Sequence, residues 1–240
     1  MALTVNVLGC TGSYPGAGMA CSGYLVRGGG TTLWLDAGSG TLANLQRHVG
    51  LADVDAVVLT HEHPDHWSEI EGFRVACLYG LGRIGVPVYA PAGLRERLSG
   101  DAAPAFDWRV VADGQEATAG ALALRFSRTD HPPETLAVRI DGEGRSLAYS
   151  ADTGPGWSFS ALGTGIDTGL CEATYVEATR SVPIHLSAAE AGAMAREAGV
   201  GRLLLTHLWP TLDGVDSLAE ATAAYGGPVE LARMHETYAV

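Results

Sequence analysis

The chain has 240 residues, 47% of them hydrophobic, which is enough for one large core, and no apolar run approaches the roughly 20 residues that cross a bilayer. The formal net charge is −12, and all 15 basic residues are arginine. An acidic chain without a basic run is a poor candidate for gripping a long nucleic acid, whose binding is dominated by phosphate contacts; a small anionic substrate held by metals stays open. Cys10, Cys21, Cys77 and Cys171 are scattered without CxxC spacing, and the start "MALTVNVLGCTG" lacks a basic stretch followed by a long apolar one. Reduced thiols in a cytoplasmic protein are expected, with no signal peptide and no zinc–thiolate site.

In chain order, apolar runs predict strands at 3–9, 22–27, 32–38, 55–60, 87–91, 108–111, 121–128, 135–141, 146–152, 168–174, 202–207 and 228–234. Helical patterns fall between them, near 40–49, 66–79, 92–99, 187–198 and 217–225. The pattern at 187 opens with Ser187 and Glu190 spaced as a capping box and stops at Gly199; "SLAE" at 217–220 repeats the capping spacing. Many strands with interspersed helices argue for sheets covered by helices. With no linker or low-complexity stretch, a single domain over 1–240 is expected.

The chemistry is concentrated in "AVVLTHEHPDHW", 56–67, where a buried run ends in His61, His63, Asp65 and His66. In an extended segment, alternate side chains share a face, so His61 and His63 can reach one ion. Asp65 and His66 lie where the chain turns into a helix and can point at a second ion. One zinc takes about four ligands, so this cluster needs others to complete two sites. His131, Asp152 and His207 each follow or end another strand, and "VVLTH" at 57–61 is echoed by "LLLTH" at 203–207. Four strand ends meeting at one rim would assemble the set, with Asp152 able to bridge two ions. His48 and His235 have no such setting and read as surface or filler. Trp67 beside the cluster reads as a core aromatic at a helix start rather than a stacking wall. Gly9, Gly12, Gly16 and Gly18 would let backbone N–H groups approach an anion, or form an ordinary turn.

"THEHPDH" resembles the His-x-His-x-Asp-His signature of the metallo-β-lactamase superfamily. The chain as a whole is similar to the ribonuclease Z-like branch, and within it to small actinobacterial-type metallo-phosphodiesterases of the cyclic nucleotide phosphodiesterase kind. The likeness is carried by "LGCTGSYPGAGMACSGYLV", "WLDAGSG", "DHPPETLAVRI", "YSADTGP", "CEATYVEATR" and "HLSAAEAGAMAREAGVGRLLLTHLWP", nearly end to end. The resemblance implies an α/β fold of the αββα sandwich type, two mixed β-sheets with helices on the outer faces. It implies a metal-dependent hydrolase with two divalent ions per chain, zinc foremost and manganese or iron as alternatives. His61, His63 and His131 would hold one ion, Asp65, His66 and His207 the other, and Asp152 would bridge them. Asp65 and His185 would be catalytic: Asp65 orienting a metal-bridging hydroxide for attack on phosphorus or accepting its proton, and His185, 22 residues before His207, donating a proton to the leaving oxygen or a hydrogen bond to the phosphoryl oxygen. Gly12, Thr174 and Arg180 would face the substrate. A homodimer is expected from the resemblance alone.

One departure matters. Ribonuclease Z carries a long arm that grips tRNA between the third-ligand histidine and the bridging aspartate, and here that interval is 21 positions. No arm fits, which favours a small phosphodiester, 3′,5′-cyclic AMP first, over tRNA 3′ processing. A tRNA 3′-processing endonuclease, a lactonase or β-lactamase on the same fold, and a metal-binding protein without turnover are the alternatives.

Overall fold

The computed structural model describes residues 2–98 and 104–240. Along the chain run β1 (Thr4–Gly9), β2 (Gly23–Gly28), β3 (Thr31–Ala37), α1 (Thr41–Leu45), β4 (Ala56–Val58), α2 (Pro64–Trp67), α3 (Ile70–Val75), β5 (Val86–Ala90) and β6 (Phe106–Val110). They are followed by β7 (Glu116–Ala119), β8 (Leu122–Arg128), β9 (Leu136–Gly142), β10 (Arg145–Tyr149), β11 (Thr168–Glu172), α4 (Ala188–Glu197), β12 (Arg202–Thr206), α5 (Val215–Tyr225), β13 (Val229–Leu231) and β14 (Thr237–Ala239). One sheet has the order β14-β1-β2-β3-β4-β5-β6 and the other β13-β12-β11-β10-β9-β8-β7.

The period-2 alternation of side chains explains the layering. In the first sheet Val5, Val7, Leu33, Leu35, Ala56 and Val58 turn inward and meet Leu124, Phe126, Val138, Ile140, Tyr149 and Leu204 from the second sheet. Their neighbours Leu8, Trp34 and Val57 turn outward and are covered by Leu45, Ile70, Phe73 and Cys77 of the flanking helical segments. On the far side, Ala148, Cys171, Leu203 and Leu205 are covered by Ala191, Met194 and Ala195 of α4 and by Ala221 and Tyr225 of α5. Strands buried on both faces read as continuous apolar runs, which is why the central ones were conspicuous in the sequence. The result is two mixed sheets with helices outside, the αββα sandwich that the resemblance implied.

The capping box at α4 is present: Ser187 Oγ accepts from the Glu190 N–H at 3.2 Å and the Ser187 N–H donates to Glu190 Oε2 at 2.9 Å. Gly199, at φ 65°, closes the helix, with its N–H on Arg196 O and the Val200 N–H on Ala195 O, the paired bonds of a Schellman ending. Ser217, expected as a second cap, is instead inside the first turn of α5 and buried. The helix starts earlier, at Val215, where left-handed Gly214 turns the chain and Asp213 Oδ1 accepts from the Val215 N–H at 2.9 Å. The expected helix over 66–79 breaks into α2, α3 and a π-helical stretch at Ala76–Leu81. That over 40–49 shortens to α1, and that over 92–99 to a single turn at Arg95–Arg97, residue 99 lying outside the described residues. Two strands escaped the sequence reading, β7 and β14. Each pairs with only one neighbour at a sheet edge, and neither needs an apolar run.

No helix among the described residues is long and apolar enough to cross a membrane, and the four cysteines are free.

Candidate metal centre

Strand direction sets up the site. β8 and β10 are each antiparallel to β9, so they run the same way, and β10, β11 and β12 are parallel. The carboxyl ends of β8, β10 and β12 therefore reach one rim, and deliver His131, Asp152 and His207 there. From the first sheet, β4 ends at Val58 and sends His61, His63 and α2, with Asp65 and His66, to the same place. Pro64 at the first helical position starts α2 immediately after His63, turning Asp65 and His66 away from the His61–His63 pair.

The seven side chains converge as two sets. His63 Nδ1 lies 3.1 Å from His61 Nε2 and 3.2 Å from His131 Nε2. His207 Nε2 lies 3.3 Å from both His66 Nε2 and Asp65 Oδ2. Asp152 stands between the sets. Its Oδ2 is 3.5 Å from His61 Nε2 and 3.8 Å from His131 Nε2, while its Oδ1 is 3.2 Å from His66 Nε2 and 3.3 Å from His207 Nε2. Atoms about 2.0–2.1 Å from one tetrahedral ion sit roughly 3.3 Å from one another, so these separations suit two ions sharing a carboxylate. Asp152 Oδ1 is buried and makes no hydrogen bond despite two imidazole nitrogens at that range. Convergence on a common point, rather than mutual pairing, accounts for this, and the His/Asp sets fit a dinuclear metal site.

The imidazoles are held from behind. With Nε2 at the centre, His61 donates from Nδ1 to Thr60 Oγ1 at 3.1 Å, His66 to Asp36 Oδ2 at 2.8 Å, His131 to Ile184 O at 2.8 Å and His207 to Thr174 Oγ1 at 2.8 Å. Such partners fix the ring and its tautomer. Asp36 is the busiest of them: it also accepts from the Thr60 N–H and Oγ1, both at 2.9 Å, and from Tyr149 Oη at 3.1 Å. Among the described residues, four of the six non-glycine residues with positive φ cluster here, namely Ser13, Asp36, Ala151 and His207. Left-handed backbone costs such residues energy, and it concentrates where the site needs sharp turns.

The centre is short of positive charge. Burial works against ionising Asp65 and Asp152, yet the surrounding histidines hold both well below the usual carboxylate range. Burial likewise opposes the charged form of His66, but Asp152, Asp65 and Asp36 together raise it well above an ordinary histidine. His61 is pushed down to about 3 by burial and by His66. Divalent cations would supply the charge these buried carboxylates demand.

His185 sits beside the two sets without joining either. Its ring stacks on His207 with centroids 5.4 Å apart, and its Nδ1 donates to Glu172 Oε1 at 2.9 Å. Burial disfavours its charged form, and the Glu172 carboxylate outweighs that, pushing it up to about 9. Glu172 also accepts from the N–H groups of Thr153 and Leu186 and from Thr174 Oγ1. Ser13 reaches in from the first loop, its N–H donating to Asp65 Oδ2 at 2.8 Å. Asp36, Glu172 and Ser13 were not singled out from sequence; all three lay in quoted segments, "WLDAGSG", "CEATYVEATR" and "LGCTGSYPGAGMACSGYLV", as the available signal.

Two expected substrate contacts are corrected. Thr174 is fully buried and orients His207 from behind. Gly12 spends its N–H on Leu208 O at 2.9 Å, and a Cβ there would lie 2.7 Å from His207 Nδ1, so the glycine makes room for His207. Gly9 similarly allows a close pass against Cys21 O, and Gly18 supplies a positive φ in the first loop. Arg180 lies on the exposed loop before His185 and pairs with Glu190 at 2.9 Å. Trp67 packs against the core and donates from Nε1 to Glu62 O. His48 and His235 pair with each other at 3.0 Å, outside both ligand sets.

Residues 31–208 match the family model described as the beta-lactamase superfamily domain. An uncharacterised protein of Mycobacterium tuberculosis is 38% identical over 100% of this chain and 93% of its own. YhfI, a metallo-β-lactamase-fold protein of Bacillus subtilis, is 33% identical over 96% of this chain and 97% of its own; its crystal structure matches with a TM-score of 0.91 over 99% of each chain, at 30% identity. A ribonuclease Z of Mycolicibacterium paratuberculosis is 27% identical over 95% of each chain. The chain belongs to the beta-lactamase superfamily, among its metallo-hydrolases.

Proposed function

We propose that this protein hydrolyses small phosphodiesters, 3′,5′-cyclic nucleotides foremost, at the centre built on Asp152. The observation that carries the reading is the pair of candidate ligand sets sharing Asp152 with a glutamate-held His185 at their side. Two divalent ions, zinc first, would be held by His61, His63, His131, Asp65, His66, His207 and Asp152, and would acidify a water and offset charge on the phosphoryl oxygens.

The chain's own groups do the rest. His63, Asp65 and His185 are the members of the site with residual exposure, so the substrate enters past them. Asp65, fixed by the Ser13 N–H, orients the attacking water. His185 has Nδ1 committed to Glu172, so it donates from Nε2 to the leaving oxygen, as a general acid requires.

Size selection rests on the interval between His131 and Asp152. It is occupied by β9, a tight turn and β10, all in the sheet, leaving no projecting arm to hold a tRNA body. The ribonuclease Z relative keeps tRNA 3′ processing as the second reading. A panel of cyclic nucleotides, bis(p-nitrophenyl) phosphate, pre-tRNA, a lactone and nitrocefin separates the classes. Cyclic nucleotides are expected to give the highest kcat/KM at physiological salt; a higher value for pre-tRNA, or turnover of lactone or nitrocefin alone, replaces this reading.

A further inference from the structure

The rings of this site continue beyond the ligand histidines. His185 meets Tyr175 edge-on at 6.2 Å, Tyr175 stacks on Trp209 at 6.0 Å with planes 26° apart, and Trp209 takes the edge of Tyr14 at 5.5 Å. The file leads from the buried centre outward, Tyr175 being 8% exposed and Tyr14 43%. The local chain holds it in place. Trp209 follows His207 by two residues and its N–H donates to Thr174 O at 3.3 Å, while Tyr175 is clamped by backbone bonds to Leu186 and Ala188. None of the three rings belongs to the apolar clusters that hold the sheets and helices together.

Tyr175 and Trp209 bound a cavity of about 260 Å³, with Thr179, Ser181 and Thr211 around it. That is smaller than the roughly 300–1,000 Å³ of pockets that enclose a whole ligand, and suits one planar ring system. A wall of aromatic faces with hydroxyl groups beside it matches a nucleobase, whose faces stack and whose edge donates and accepts hydrogen bonds. A sugar or a choline-type headgroup would leave one half of that chemistry unused.

We propose that Tyr175 and Trp209 form a base subsite beside the candidate metal centre, where the base of a nucleotide substrate would rest. The base packs on the ring wall while the phosphate reaches the centre past His185. This rests on the phosphodiesterase reading above and deepens it by assigning residues to hold the base.

The test is equilibrium binding of AMP and of ribose 5-phosphate to the metal-loaded protein by calorimetry. Stacking on an aromatic side chain is worth about tenfold to a hundredfold per base, so AMP should bind at least about tenfold more tightly than ribose 5-phosphate. In Trp209→Leu and in Tyr175→Leu that advantage should collapse to within about threefold, while Trp209→Phe, which keeps a ring, should retain most of it. Equal affinity of the two ligands for the wild-type protein, absence of AMP binding, or an advantage that survives both leucine variants overturns the subsite. The wild-type comparison stands even if a variant fails to fold. Base preference without diester turnover would remove the proposed chemistry and keep the subsite; diester turnover without base preference would do the reverse.

Discussion

Glu172 lies wholly inside the protein, and its Oε1 accepts the Nδ1–H of His185 at 2.9 Å. That single bond fixes the tautomer of His185, presents Nε2 to the centre, and holds the imidazole protonated to higher pH than a free one. Glu172 thereby equips His185 to give up a proton from Nε2.

Replacing His185 with alanine is expected to lower kcat by about 10²–10⁴-fold while both metals stay bound, since a general acid contributes that much and His185 belongs to neither ligand set. Glu172→Gln tests the coupling. With His185 pushed up to about 9, a reaction needing its proton keeps its rate until pH rises through that region. Without the carboxylate the value falls toward the ordinary ~6.5, so the alkaline limb of the pH–rate profile should move to lower pH. The same sign holds for folding: this pair's contribution is fully present below ~6.5 and is lost as pH rises through about 9. An unmoved alkaline limb would separate Glu172 from the proton.

Reconstituted protein should saturate at two divalent ions per chain, measured by elemental analysis. Asp152→Ala should lower the affinity of both sites together, because one oxygen faces each set. Saturation at one ion, unchanged by Asp152→Ala, would rule out the shared carboxylate.

Asp36→Asn removes the charge behind His66 and puts an NH₂ where Thr60, Tyr149 and His66 all donate. Metal affinity should fall by about 10–100-fold, as when other outer partners of ligand histidines are lost. Stability should fall by about 1–3 kcal/mol, from buried donors left unpaired. Competitive chelator titration and thermal denaturation read the two effects, and wild-type values in both would show that His66 is held some other way.

Gly192→Ala places a Cβ 2.5 Å from Ala221 O and 3.1 Å from Ala221 Cα, where α4 crosses α5. Helix propensity favours alanine by about 1 kcal/mol, while forcing packed backbones apart costs about 1–3 kcal/mol, so the variant should be less stable. A raised denaturation midpoint would mean that α5 shifts aside freely.

The sequence by itself determined what local spacing can carry. His61 and His63 share a face because strand residues alternate, and Pro64 starting a helix sends Asp65 and His66 elsewhere; neither fact needs the rest of the chain. The central strands and the α4 caps were legible for the same reason, since apolar period and Ser187–Glu190 spacing act within a few residues. The edge strands β7 and β14 were not, because an edge strand is defined by the neighbour it pairs with and carries no apolar signature of its own. Nor could local pattern show that "SLAE" lies inside a helix already begun at Val215. Asp36 meets Thr60 and Tyr149 24 and 113 positions away, Glu172 meets His185 13 away, and Ser13 meets Asp65 52 away. The ring file from His185 through Tyr175 to Trp209 exists only once β11 and β12 lie side by side. A buried carboxylate or an aromatic ring takes its role from the groups packed around it, and which groups those are is decided by sheet order and register.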